Sequence, residues 1–410
     1  MITDPDPLQH VGAVPNPLRH FEAIQDFRPT RSASPRREVP EIENAEQANS
    51  RLGLEVLKGV RKPGENACVC PTGIFMCLAM LYEGLGPDGQ KEIEDLIWPD
   101  GWHRGAVQGF VQRQLKDFEA LKTCNSAWAN ETGRVKQDYL NVLTEDYGAD
   151  VFRFDLASES ESSIVGRING WASEKTNGRI PQIMDRIDPL LILTLMNAVY
   201  FKDDWKHRFQ RTEDADFTLE DGTKTAAPMM KGTKVKDTYS HHAALDCEIV
   251  EMPYLGRFAM VVVLPSIPIS DFLGHLTFLR FKGLLRNLSA AEGSVWLPKF
   301  RIEKEVESAL KGRLMEMGAN AIFSGAADFS GITDLPVAKT DIVQKVFIDV
   351  NEGGTEAAAV TAFHTMGCGI SNDEKPSFHF VADRPFLFAI RDTWLYTLPF
   401  IGVYAGPGKD

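Results

Sequence analysis

The chain has 410 residues, long enough for two or three average domains, although one large mixed α/β domain can also run to that length. It is 43% hydrophobic and 25% charged, the mixture of a folded protein with a large core. A formal net charge of -13, with no concentrated basic patch, argues against nucleic acid or an anionic membrane as partner.

Residues 1–43 hold seven prolines and the basic cluster Arg28, Arg31, Arg36 and Arg37, with no hydrophobic periodicity. They are expected to form a disordered extension ahead of one domain spanning residues 44–410. The opening "MITDPDPLQHVGAVPNP" has no basic start followed by an apolar core, so it does not read as a secretory signal. A cytoplasmic location is expected if Met1 is the natural start, and a secreted one if a leader has been removed. No apolar run is long enough to cross a bilayer.

From "AEQANSRLGLEVL" onward, Leu52, Val56 and Val60 recur at helical spacing. "NACVCPTGIFMCLAMLYEGLG" then predicts a short strand, a start at Pro71, and a helix apolar on nearly all sides that Gly84 and Gly86 end. Such a helix belongs at the centre of the domain. Further helices are expected in "AVQGFVQRQL", "DYLNVLTEDYG" and "SIVGRINGWASEKTNG", the last with Gly178 as its C-cap. The second half reads as extended segments: "LTLMNAVYF", "CEIVEMPYL", "FAMVVVLP", "SVWLPKFRIEKEV", "DIVQKVFIDV", "FHFVADRPFLFAIRD" and "YTLPFIGVYAGP". Few β-α-β alternations occur, so the fold class is α+β, with early helices around large, mainly antiparallel sheets.

Six cysteines stand at 68, 70, 77, 124, 247 and 368, and the first three fall in an apolar run. They are expected to be free thiols acting as small hydrophobes. No CxxC pair occurs, His241, His242 and Cys247 form only a weak cluster, and no metal or cofactor site is expected.

"NEGGTEAAAVTA", residues 351–362, fits neither class of segment. It follows an alternating strand, yet after two glycines almost every side chain is tiny or β-branched. A core strand would carry larger apolar groups, and a loop would carry turn formers.

The run "VFIDVNEGGTEAAAVTA", followed by "FVADRPFLFAIRD" and "FIGVYAGP", resembles the hinge, loop exit and C-terminal signature of the serpins. "NACVCP", "INGWASEKTNGRI", "LMNAVYFKDDWKHRF", "PMM" at 228–230, "EIVEMPYLGRFAMVVVLP", "LPKFRIE" and "LMEMGANAIFSGAADFSGIT" match further family segments in order, over residues 44–407. The resemblance implies a serpin fold in one domain, with a reactive-centre loop at about residues 352–380. It also implies a metastable suicide substrate rather than an enzyme, in keeping with the lack of a GxSxG elbow. A target protease attacks the loop and forms an acyl-enzyme, and the loop inserts into the main sheet before water completes hydrolysis. A segment with two homes must stay slim: Thr355, Ala357, Ala359 and Thr361 would face the core, and bulky groups there would find no space.

By resemblance the hinge comprises Glu352, Gly353, Gly354, Thr355, Glu356, Ala357, Ala358 and Ala359, with Gly353 and Gly354 letting the backbone turn. Family spacing from Glu352 puts Cys368 before the scissile bond and Gly369 after it, with Met366 as a second candidate. Cys368 is small and weakly apolar, so the expected target is a chymotrypsin-like or elastase-like serine protease. Trp205 and Lys299 match the breach where insertion begins, and Glu352 is expected to pair with Lys299. Asn197 matches the shutter beneath the sheet, where its amide would satisfy buried backbone groups. The chain departs from the family at the shutter, with Cys70 and Gly73 in place of two serines and Gln344 in place of a histidine. Heparin activation is not expected, since residues 100–122 carry only Arg104, Arg113, Lys116 and Lys122 as scattered cations. A monomer is expected. The alternatives are a non-inhibitory carrier or chaperone on the same fold, and an inhibitor of a cysteine protease.

Overall fold

A computed structural model describes residues 43–99, 101–116, 120–232, 235–305, 307–335, 339–355 and 378–408. In chain order the elements begin with α1 (Ala45–Val60), β1 (Ala67–Val69), α2 (Pro71–Tyr82), α3 (Pro87–Ile97), α4 (Arg104–Gln114), β2 (Leu121–Asn130), α5 (Gln137–Tyr147), β3 (Asp150–Phe154) and α6 (Glu161–Lys175). Strands β4 (Leu191–Phe201), β5 (Asp203–Asp204), β6 (Arg211–Thr218), β7 (Lys224–Lys231), β8 (Val235–Ala243), β9 (Cys247–Pro253) and β10 (Phe258–Pro265) follow. After α7 (Ile269–His275) and α8 (Phe278–Arg286) come β11 (Ser289–Pro298), β12 (Phe300–Glu305), α9 (Glu307–Glu316), α10 (Asn320–Ser324) and β13 (Lys339–Val350). The chain closes with β14 (Gly354–Thr355), β15 (Phe378–Val381), β16 (Phe386–Asp392) and β17 (Phe400–Tyr404).

Local signals explain the helices. Asn44 caps α1 by accepting the Gln47 amide, and Leu52 and Val56 face the core. Every residue of α2 from Pro71 to Leu81 is buried, as its all-round apolar surface requires. The helix ends at Tyr82 with Glu83 as its cap, just before the expected stop at Gly84, and Gly84 also allows close packing, since a Cβ there would lie 2.2 Å from Ile332. The cap of α6 is Thr176, and Gly178 follows in the left-handed region (φ 79°), where its N–H donates to the Ser173 carbonyl at 2.7 Å.

The strands form two sheets. One runs β1-β17-β16-β10-β9-β8-β11-β7-β6, with β15 paired to β11. The other runs β3-β2-β4-β13-β14-β5, with β12 paired to β13. Two predicted strands divide. "SVWLPKFRIEKEV" breaks at Lys299, so that β11 joins one sheet and β12 the other, and "FHFVADRPFLFAIRD" splits into β15 and β16. The polar edge strand β6 and the buried β2 carry no alternating apolar pattern and escape the sequence reading.

Most pairings are antiparallel, but β4 and β13 run parallel and bond directly to each other, from Lys339 opposite Leu191 to Val346 opposite Val199. Side chains of this central pair point to both faces of the sheet, with Leu193, Leu195 and Ile342 joining the core around α1 and α2. Met196, Ala198, Val343 and Phe347 pack under α6, whereas Val199, Phe201, Val346, Ile348 and Val350 pack between the sheets.

Candidate functional site

Beyond the end of β13 the chain turns back at once. Asn351 donates its N–H to the Gly354 carbonyl at 2.9 Å, and Asn351 Oδ1 accepts the Gly353 N–H at 2.9 Å. Gly354 and Thr355 then form the two-residue strand β14. Thr355 pairs antiparallel with Val350 on one side, and Gly354 and Thr355 pair with Asp204 and Asp203 on the other. The chain turns across these glycines without a positive φ at either. At Gly354 the reason for glycine is proximity: a Cβ would lie 2.2 Å from the Asp203 carbonyl oxygen and 2.7 Å from the Asp204 Cα.

Trp205 is buried and holds this turn twice. Its backbone N–H donates to the Gly353 carbonyl at 2.9 Å, and its indole N–H donates to the Asn351 carbonyl at 2.9 Å. The ring stacks on Tyr254 at 4.3 Å and 9°, so Trp205 fills the core and anchors the turn together. Glu352 meets Lys299 at 3.2 Å and also accepts the Thr212 hydroxyl. Burial pushes the Glu352 carboxyl up, but hydrogen bonds from Thr212, from its own backbone and from Lys299 outweigh it and hold the group below the usual carboxylate range. The Lys299 contact is half exposed, which limits its worth to less than about 1 kcal/mol.

Below the turn, Asn197 and Gln344 face each other across the β4–β13 pair, both wholly buried. Asn197 serves the backbone only through a long bond, its Nδ2 donating to the Cys124 carbonyl at 3.5 Å. Its Nδ2 donates mainly to Asn125 Oδ1 at 2.8 Å, and its Oδ1 has no protein partner. Gln344 takes that task. Its Oε1 accepts the Cys70 N–H and its Nε2 donates to the Cys70 carbonyl, each at 2.9 Å, tying β13 to the start of α2. Gly73 leaves room for Asn197: a Cβ there would stand 1.8 Å from its Oδ1. Cys70 caps α2 through its sulfur, which accepts the Gly73 N–H at 3.3 Å, and burial pushes its thiol up to about 12. Such a thiol stays protonated and packs as a small hydrophobe.

Cys68, Cys70, Cys77 and Cys247 are free thiols. His241 stacks on Phe378 rather than joining Cys247, and no group of three or more metal-binding side chains gathers among the described residues. Glu356, Ala357, Ala358, Ala359, Met366, Cys368 and Gly369 lie outside the described residues. The sequence reading had no signal for Tyr254, Thr212 or Asn125, since each acts through a contact far away in the chain.

Fold and site together define an α+β protein whose main sheet is closed at its centre and whose last long strand leads into a tethered hinge. The family model described as Serpin (serine protease inhibitor) matches residues 47–407, and the chain belongs to that family. Its members are protease inhibitors rather than enzymes and typically bind target serine proteases. Iripin-3 of Ixodes ricinus is 32% identical over 371 residues, covering 87% of this chain and 93% of that protein. Leukocyte elastase inhibitor of Sus scrofa is 30% identical over 394 residues, covering 89% of this chain and all of that protein. Among solved structures, the thermophilic serpin tengpin in its native state superposes with a TM-score of 0.77 at 26% identity, covering 90% of this chain and 95% of that one.

Proposed function

We propose that the chain traps a chymotrypsin-like or elastase-like serine protease as an acyl-enzyme: its reactive-centre loop, about residues 352–380, is cut after Cys368, and the part before the cut inserts between β4 and β13. In this reading residues 44–410 are the inhibitory unit and residues 1–43 an extension. The protease nucleophile attacks the carbonyl of Cys368, the amine of Gly369 leaves, and insertion then competes with water for the ester.

The observation that carries the proposal is one of register. The short ladders of β14 and the closed β4–β13 pair share a single alignment. Continued in that alignment, Ala357 falls opposite Phe201 and Ile348, Ala359 opposite Val199 and Val346, and Thr361 opposite Asn197 and Gln344. Those inward positions carry only Ala and Thr, which suit a slot between strands that are now in contact. Thr361 would also bring a hydroxyl to the partnerless Asn197 Oδ1.

Incubation with chymotrypsin, elastase, trypsin and papain-like enzymes tests the proposal. The expected result is an SDS-stable adduct with one of the first two and a new N-terminus at Gly369 by mass spectrometry. Turnover without an adduct overturns it, and a new N-terminus elsewhere moves the bait, first to the bond after Met366.

One observation favours a second reading, a carrier of a small amphipathic ligand. A cavity of about 540 Å³ lies between α1, α8 and the turn before β17, lined by Phe278, Phe281, Lys282, Arg286, Arg391 and Trp394. Saturable quenching of Trp394 by an aromatic carboxylate, with no adduct to any protease, would favour it.

A further inference from the structure

Thr355 opens the segment that the proposed mechanism inserts, yet it is already wholly buried. Its Oγ1 lies 2.5 Å from the Tyr254 hydroxyl, and Tyr254 is itself buried. Around this contact the chain is held at every residue. Trp205 grips Asn351 and Gly353, the Phe209 N–H donates to the Glu352 carbonyl at 3.0 Å, and Gly354 rests on the backbone of Asp203 and Asp204. Tyr254 is fixed in turn by its stack on Trp205 and by the bridge between the two residues. Burial pushes its phenol well above the ordinary range, so the hydroxyl remains neutral.

We propose that Tyr254 is a positioning residue for loop insertion: its hydroxyl seats Thr355 between the upper ends of β13 and β5, so that insertion begins from formed bridges in a fixed register. The inference rests on the inhibitory reading above. Insertion races against hydrolysis of the acyl-enzyme, so its first step matters most. A loop whose first residue swings free must find the slot and the correct pairing before any ladder bond rewards it, and a seated residue has passed that step. Thr355 is therefore chosen for its hydroxyl as well as its size.

The test compares Tyr254→Phe, Thr355→Val, the double variant and Thr355→Ser in the full chain. Two quantities are read: moles of inhibitor consumed per protease trapped, and the rate at which the protease attacks the loop. Tyr254→Phe keeps the stack on Trp205 and removes only the hydroxyl. It is expected to raise the stoichiometry about 2- to 10-fold, the worth of one buried hydrogen bond, with no change in the rate of attack. Thr355→Val should match it, the double variant should be no worse than either single one, and Thr355→Ser should stay near wild type. Wild-type stoichiometry in Tyr254→Phe overturns the proposal, and so does a double variant whose effect is the product of the two singles. Should Tyr254→Phe fail to fold, Thr355→Val against Thr355→Ser gives the same decision with the stack untouched. A wild type that traps no protease at all overturns the inhibitory reading itself, whereas trapping that is indifferent to these hydroxyls overturns only the seat.

Discussion

Cutting the loop after Cys368 should make the protein markedly harder to melt, and the size of the effect follows from the sheet. In the closed state β4 and β13 share eight registered residue pairs. An inserted strand of about twelve residues would form on the order of twenty ladder bonds and break about eight, a net gain of roughly ten at about 1 kcal/mol each. The ordering of the ribbon opposes this gain, and burial of its apolar side chains supports it, by amounts of similar size. A domain matched over residues 47–407 has a melting entropy near 0.8 kcal/mol per degree, so about 10 kcal/mol corresponds to a rise of about 13 °C. Thr355→Arg supplies the control. It would force a guanidinium into a wholly buried site beside Tyr254, where the neighbouring Asp203 offsets only part of a penalty of several kcal/mol, and insertion should stall at its first residue. Differential scanning calorimetry of intact and nicked samples reads both: a clear rise for nicked wild type, little for nicked Thr355→Arg, and turnover in place of trapping. Equal melting temperatures for intact and nicked wild type, or a full rise in the arginine variant, would refute insertion between β4 and β13.

Gln344→Leu removes the amide that serves both backbone groups of Cys70; the carbonyl keeps the Ile74 N–H, but the buried Cys70 N–H is left unpaired at about 1–3 kcal/mol. The intact protein should lose about 1–3 kcal/mol in urea denaturation, and an unchanged midpoint would remove Gln344 from the shutter. The Glu352 carboxyl is held below the usual carboxylate range, so its ionised form adds stability that is full above the unfolded pKa of about 4.3 and is lost as pH falls through the lowered folded value. Wild type should therefore exceed Glu352→Gln in stability by less than about 1 kcal/mol at neutral pH, with the gap closing in acid; a gap indifferent to pH would mean that the charge does not contribute.

Much of the fold is written in short-range patterns. The all-apolar α2 with Pro71 at its start, the helical recurrence of Leu52 and Val56 in α1, and the alternating residues of β13 each follow from helical or strand periodicity within a dozen positions. The slim run after Gly354 announces an unusual duty for the same reason, because it breaks the rules for both strands and loops. Ordered motifs along the chain add the family, and with it the places of Trp205, Lys299, Asn197 and Gln344.

What periodicity does not carry is partnership between distant segments. No local pattern says that β4 and β13 touch in parallel, that "SVWLPKFRIEKEV" serves two sheets, or that Asn197 keeps an orphan acceptor while Gln344 does the work at Cys70. The hinge shows the division most sharply. The sequence supplies Thr355 as a small residue after two glycines, but its burial against Tyr254, and the crowding that makes Gly354 obligatory, exist only once residues some hundred to one hundred and fifty positions apart have been packed together. Periodicity reports which face of a segment is apolar. Register and contact are set by long-range packing, where one residue's slip would turn every side chain of the strand to the other face.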